Sequence, residues 1–214
     1  MGVLVLGDVH GCYYTLKKMV KTHFNPQEDL LVQVGDLINK GPHSGKCVKY
    51  WQKLEAKHPQ RVFIIRGNHE QAFIEAFRQE KVKGSHPKLL ANLEQAGLNP
   101  LKVYQWFLAK PLSWEGQGLL VTHAGLSIAA NDPFNIQLEH NVLENRKPLK
   151  RLNLTQVIGH TVVKNARPVY SAKENAWYID TGAFSGHSLT AVLFQSNGET
   201  QQVHQVPTVD KDLL

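Results

Sequence analysis

Cysteine is scarce in this chain. Cys12 and Cys47 are the only two, too few for a disulfide framework, so a reducing cytoplasm is the expected compartment. Long apolar runs are missing too, and nothing approaches the roughly 18–20 residues of a membrane span. Met1 to Leu6 begins apolar, but Gly7-Asp8 ends the run and no basic stretch precedes it, so no secretory signal is expected. Aromatic residues make up 8% and form no RNA-recognition motif, so a stacking platform for bases is not evident and no stable nucleic-acid complex is expected. Repeats, low-complexity tracts and Pro/Gly/Ser linkers are absent. The expected organisation is therefore a single domain over residues 1–206 with a frayed tail at 207–214. Acid is also in short supply: 18 Asp+Glu stand against 24 Lys+Arg, a formal charge of +6 over 214 residues. That balance permits an anionic partner, while a hydrophobic fraction of 42% excludes a disordered chain.

What is present is a recurring unit: a short β-branched or Leu-rich run, then glycine, then Asp, Asn or His. It occurs at Val3–Leu6 before Gly7-Asp8-Val9-His10-Gly11, at Leu30–Val34 before Gly35-Asp36, and at Val62–Ile65 before Arg66-Gly67-Asn68-His69-Glu70. Later copies are Leu119–Val121 before Thr122-His123-Ala124-Gly125, and Gln156–Ile158 before Gly159-His160-Thr161. Continuous apolar runs of this length read as strands buried on both faces, and their polar ends are expected along one edge of a sheet. Helical periodicity lies between them, from Tyr13, from Ser44, over Glu70–Lys81, over Pro87–Ala96 and over Pro100–Ala109. After residue 115 strands dominate, which suggests an α/β sandwich. Residues 127–150 read as a surface excursion.

Together the polar strand ends offer Asp8, His10, Asp36, Asn68, His123 and His160: two carboxylates, three imidazoles and one amide. Mixed O/N donors without thiolate favour a borderline divalent metal such as Mn, Fe, Zn or Co. Six ligands are too many for one catalytic ion that must keep positions open for water, and about right for two ions sharing a carboxylate. Two metals roughly 3.5–4 Å apart can hold a hydroxide and clamp a phosphoryl group for in-line attack, so hydrolysis of a phosphate ester is expected. Any one Gly-Asp or buried histidine is more often structural; the expectation rests on five strand ends coinciding. His23, His43, His58, His86, His140 and His204 read as ordinary histidines.

These five blocks resemble those of the calcineurin-like metallophosphoesterases, most similarly the branch of phosphoprotein phosphatases and symmetrical diadenosine tetraphosphatases. They come in the family's order, with 28 residues from Asp8 to Asp36 and 32 from Asp36 to Asn68. The resemblance covers roughly residues 1–195 and implies a four-layer α-β-β-α sandwich with mixed sheets. It implies that Asp8 and His10 bind a first metal, that Asp36 bridges two, and that Asn68, His123 and His160 complete the second site. Manganese is the expected metal, with Fe, Zn, Co or Ni compatible. His69 is then the general acid that protonates the leaving oxygen, a task suited to an imidazole. Lys40 and Arg146 would bind the phosphate. Lys40 stands where the family normally has arginine, and lysine lacks the bidentate fork.

A second departure concerns Gly35-Asp36-Leu37-Ile38-Asn39-Lys40-Gly41. The phosphoprotein phosphatases have aspartate where Asn39 stands, and that carboxylate orients and charges the catalytic histidine. Asn39 is expected to accept the same hydrogen bond without the charge, which lowers the pKa of His69. Diadenosine tetraphosphatases lack that aspartate too, so Asn39 points towards them, or towards an RNA cap hydrolase. Thr161, where those enzymes typically have tryptophan, and the short chain point back to a phosphatase. The stretch Tyr178-Ile179-Asp180-Thr181-Gly182-Ala183 resembles the compact lambda-phosphatase type; Asp180 reads as a structural turn rather than a catalytic carboxylate. The leading expectation is a serine/threonine phosphoprotein phosphatase acting on a phosphorylated protein, and the alternative is a nucleotide pyrophosphohydrolase. A basic binding protein with a decayed site is disfavoured because every expected ligand and His69 are present. Eleven of the 24 basic residues fall in two acid-free stretches, Lys40–Lys53 and Arg146–Lys173, beside the expected site loops.

Overall fold

Valine and leucine alternate at the start of the chain, and both sets are buried. Val3 and Val5 face one way and Leu4 and Leu6 the other, which requires that strand to lie inside a sheet covered on both faces. The computed structural model describes residues 1–213 and places this strand, β1 (Gly2–Leu6), at the centre of a mixed sheet. Its parallel neighbour β2 (Asp29–Gln33) follows α1 (Tyr13–His23), and β3 (Val62–Ile64) follows α2 (Ser44–Lys57). Parallel neighbours need such helical crossovers. Four further helices come next: α3 (Asn68–Arg78), the single turn α4 (Val82–Ser85), α5 (Pro87–Gln95) and α6 (Pro100–Leu108). Strands β4 (Ser113–Gly116), β5 (Leu119–Thr122), β6 (Thr155–Ile158), β7 (Val169–Ser171) and β8 (Ala176–Tyr178) form a second mixed sheet in the order β4-β5-β6-β8-β7. The chain then returns through β9 (Ser188–Phe194) and β10 (Thr200–Pro207) to complete the first sheet as β10-β9-β1-β2-β3.

The layers follow from the side chains. Leu4, Leu6, Leu31 and Ile64 pack under the helices with Leu16, Met19, Trp51, Phe73 and Phe107. Val3, Val5, Val32, Val34 and Phe194 pack instead on Leu119, Val121, Val157 and Ile179 of the second sheet. On its outer face Leu149 covers Ile158 and Ala176. This is the expected α/β sandwich of two mixed sheets flanked by helices.

Some expectations change. The polar strand ends do not share one sheet edge: Asp8, Asp36 and Asn68 follow strands of the first sheet, and His123 and His160 follow strands of the second. They meet because the two sheets stack with these carboxyl ends at the same end of the sandwich. β4, β7 and α4 gave no sequence signal, being three or four residues long with no fully buried side chain. The frayed tail is corrected for residues 207–213. Asp210–Asp212 forms a 3-10 turn, and the buried Asp212 carboxylate accepts from Tyr14 N at 3.1 Å, Thr15 N at 2.7 Å and Thr15 Oγ1 at 2.7 Å. Cys12, at the N-cap of α1, makes no side-chain cap, so the distant Asp212 meets those free N–H groups. Leu214 lies outside the described residues. Among the described residues, no helix is long and apolar enough to cross a membrane.

Candidate metal centre

The centre is built where loops after five strands converge, and the backbone there is bent in an unusual way. His10, Asp36, Asn39, Lys40 and His160 all have positive φ, between 45° and 67°. Non-glycine residues hold that conformation at a cost, and clusters of them mark functional loops. Two glycines are demanded by close approach. A Cβ on Gly159 would fall on the Asp8 carboxylate, and one on Gly67 on the Asp36 carboxylate. These two glycines are thus gaps through which one loop approaches the acid of another.

One oxygen sits at the middle. Asp36 Oδ2 lies 3.4 Å from His10 Nε2, 3.5 Å from His123 Nε2 and 3.9 Å from His69 Nε2. Its partner Oδ1 accepts from His69 N at 2.9 Å. Each flanking imidazole is oriented from behind: His10 Nδ1 donates to Ile38 O at 3.0 Å and His123 Nδ1 to Val34 O at 2.9 Å. Those bonds leave both Nε2 atoms as lone-pair donors towards the centre, the arrangement typical of metal-binding histidines. Asn68 Oδ1 lies 2.9 Å from His123 Nε2 and 3.3 Å from His160 Nδ1. Asp8 accepts from His160 N, at 3.3 Å and 3.1 Å on its two oxygens. His160 Nε2 is buried without a partner.

The electrostatics are those of a desolvated carboxylate–imidazole cluster. Burial above all, with the neighbouring Asp180 and Asp36 charges, raises the Asp8 carboxyl well above its usual range, and burial pushes Asp36 up to about 7. Burial holds His123 down to about 4 and His160 to about 3, with Lys40 and Arg146 adding to it. Neutral imidazoles beside crowded carboxylates suit a divalent cation, which satisfies both at once. Asp8, Asp36 and His123 present ligand atoms within 4.8 Å of one another, as do His10, Asp36 and His69. The donor set, the crowded acids and the orphaned His160 Nε2 all fit divalent metal.

The structure brings all six candidate ligands and His69 together. It places Lys40 and Arg146 at the rim, each in contact with a neighbouring side chain. Lys40 Nζ lies 3.0 Å from His10 Nε2 and 4.2 Å from the Phe184 ring centroid. Arg146 Nη1 donates to Thr161 Oγ1 at 3.0 Å. It borders a cleft of about 320 Å³ whose walls include Pro148, Leu149, Val162 and Tyr178. Asn39 does not take the expected acceptor role. Its amide nitrogen lies 3.1 Å from His69 Nδ1, so it donates to the ring rather than accepting from it. A ring that accepts at Nδ1 is neutral, and burial followed by the Lys40 charge holds His69 at about 4. A second cleft, of about 460 Å³, opens on the His69 side between Asn39 and the His86–Leu89 segment.

Two buried residues without a sequence-assigned role hold the loops. Glu70 accepts from Asp36 N at 2.7 Å, Leu37 N at 2.9 Å, Ile38 N at 3.3 Å and Gly67 N at 2.9 Å. It thereby clamps the Asp36 loop to the Asn68 loop. Gln33 bonds Gly35 through both its amide atoms and reaches Gly7 O at 3.4 Å. An acid three residues after a glycine at a helix start was the available signal for Glu70; Gln33, inside a strand, offered none.

Comparison with known proteins bears on this geometry. Residues 1–191 match the model of the calcineurin-like phosphoesterase family. The chain is 44% identical over 75 residues to serine/threonine-protein phosphatase 1 of Salmonella typhimurium, a stretch covering 35% of this chain and 32% of that protein. It is 29% identical over 127 residues to the symmetrical bis(5'-nucleosyl)-tetraphosphatase of Methylobacillus flagellatus, covering 59% and 44%. The matched stretches thus span less than half the length of these curated relatives. Among solved structures, a proposed diadenosine tetraphosphatase superposes with a TM-score of 0.72 at 24% identity, covering 98% of this chain and 94% of the other. A serine/threonine phosphatase from Saccharomyces cerevisiae gives 0.70 at 16%, covering 98% and 80%. These two likenesses establish the fold.

Proposed function

The chain belongs to the calcineurin-like phosphoesterase family, and from that membership we propose that it is a dinuclear-metal phosphatase for phosphate monoesters, acting on serine/threonine phosphoproteins. The observation that carries the reading is the single oxygen of Asp36 set 3.4 Å and 3.5 Å from imidazoles of two different sheets. In the proposal Asp8, His10 and Asp36 hold one ion, and Asp36, Asn68, His123 and His160 hold the other. When bound, two divalent ions, manganese being the expected pair, supply Lewis-acid polarisation of the phosphoryl oxygens and an acidified water.

The chain's own groups do the rest. Lys40, exposed at the rim with its Nζ 3.0 Å from His10 Nε2, would turn its ammonium to the phosphate. Arg146, tethered by Thr161, meets the phosphate from the other sheet. His69 Nε2 faces the centre beside Asp36, where it delivers a proton to the departing oxygen, and the cleft bordered by His86 and Leu89 receives the leaving group. The likeness to serine/threonine-protein phosphatase 1 supports the phosphoprotein assignment. The free thiols of Cys12 and Cys47 are compatible with a reducing compartment, and a cytoplasmic site of action belongs to the same proposal.

A second reading, a symmetrical dinucleoside tetraphosphatase, is favoured by one contact. Asn39 gives His69 an amide donor instead of a carboxylate, and a nucleotide leaving group needs less protonation. A manganese-supplemented panel of phosphoserine peptide, aryl phosphate and diadenosine tetraphosphate separates the two. The first reading predicts turnover of the peptide, with His69→Asn losing roughly 10²-fold or more on it and far less on the activated aryl ester. Preference for diadenosine tetraphosphate selects the second, and no hydrolysis of any substrate contradicts both.

A further inference from the structure

The turn after β8 leaves half of a carboxylate unexplained. Gly182 N donates to Asp180 Oδ1 at 3.0 Å, which closes the Asp180-Thr181-Gly182 turn. The other oxygen, Oδ2, is buried with no hydrogen-bond partner, in a residue only 1% exposed. Leaving such an atom orphaned is costly, and it calls for a partner of another kind. A structural turn needs one oxygen and gains nothing from a second, charged one in a dry interior.

Its location identifies that partner. Ile179 N bonds Ile158 O, and Val163 N bonds Asp180 O, each at 2.9 Å, so Asp180 is fixed against the strand and loop that carry His160. On its other side a Cβ on Gly7 would collide with Ile179 O, so the same segment presses on Gly7-Asp8. Asp180 is therefore wedged between two loops that supply proposed ligands. Burial raises the Asp180 carboxyl, with the Gly182 N–H and then the Lys40 charge opposing it, and its own charge in turn raises Asp8 and Asp36.

We propose that Asp180 is a positioning residue for the divalent cation at Asp8, its ionised carboxylate adding a third negative charge beside Asp8 and Asp36. The inference rests on the metal reading above. It gives the turn two separable jobs, a local hydrogen bond through Oδ1 and metal retention through the charge.

Asp180→Asn separates them, because asparagine keeps the Oδ1 acceptor and the volume while removing the charge. Manganese titration by calorimetry should show affinity lowered 10–100-fold, the range for residues that support metal ligands from behind. The chelated variant should melt at or above the wild-type temperature, since a buried unpaired charge is gone. Asp180→Ser, which also retains a short acceptor for Gly182, should show the same loss. Unchanged manganese affinity in both variants overturns the inference while the metal reading stands. Affinity lost only alongside a lower melting temperature of the chelated protein overturns it in favour of a purely structural turn. A wild-type chain that binds no manganese overturns both.

Discussion

At the scale of single residues the sharpest consequence concerns Asn39 and His69. Protonated His69 is the form that aids a poor leaving group, and burial with the nearby Lys40 charge holds it at about 4. Turnover of a phosphopeptide therefore falls as pH rises through that value. Asn39→Asp places a carboxylate on Nδ1 and should move this limb upward by roughly one unit or more; pH–rate profiles on the phosphopeptide check it, and an unmoved limb sinks the assignment of the acid. Glu70→Gln should lower stability by roughly 2–3 kcal/mol in urea unfolding. One amide oxygen cannot replace two carboxylate oxygens serving four N–H groups, and the new NH₂ would confront some of them. The positions of Asp8, Asp36, Asn68, His123 and His160 were legible because each follows a strand and a polar turn. The facing of Asn39, the contact of Lys40 with His10 and the orphaned oxygen of Asp180 were not. Each depends on which distant side chain shares the interior, and spacing along the chain says nothing of that.

At the scale of elements, strands buried on both faces were readable from Val-Leu alternation in β1 and the apolar run of β2, whereas β7 and β4 carried no such pattern. Their assignment comes from pairing with β8 and β5, a tertiary fact. The tail misled for the same reason. Asp212 sits in a polar end that looks frayed, and its role as a cap appears only once β10 brings it to α1. Asp212→Ala should cost about 1–2 kcal/mol, lowering the melting temperature by roughly 2–8 °C for a chain of this size. Since α1 begins three residues after His10, some activity should go with it. Gly159→Ala tests the stacking of the two sheets at the centre. A methyl group there must displace Asp8, so metal retention should fall even where the fold survives.

At the scale of the whole molecule the positive charge has a direction. α1 contains no acid, and Lys17 and Lys46 lie over Tyr13, and Lys46 and Lys211 over Tyr14, at ring distances of 5.1–6.0 Å. Among the described residues Lys110–Glu55 is the one lysine or arginine paired with a carboxylate within 4.0 Å. The net excess of six positive charges is the field whose steering can be measured. For an acidic phosphopeptide, kcat/KM should fall several-fold between low and physiological salt, with a smaller fall for an aryl phosphate whose only charge is the phosphate itself. Equal salt response for both would assign the field no steering role. In the proposed centre Asp36 joins two divalent ions. The most direct test of that bridge is metal content per chain, by plasma mass spectrometry after manganese loading and gel filtration, for wild type beside Asp36→Asn. Wild type should carry about two manganese ions per chain, the variant should lose most of both, and phosphatase activity should follow the metal. Full phosphatase activity in a chain stripped of metal, or an Asp36→Asn variant that keeps both ions, would contradict the proposed centre.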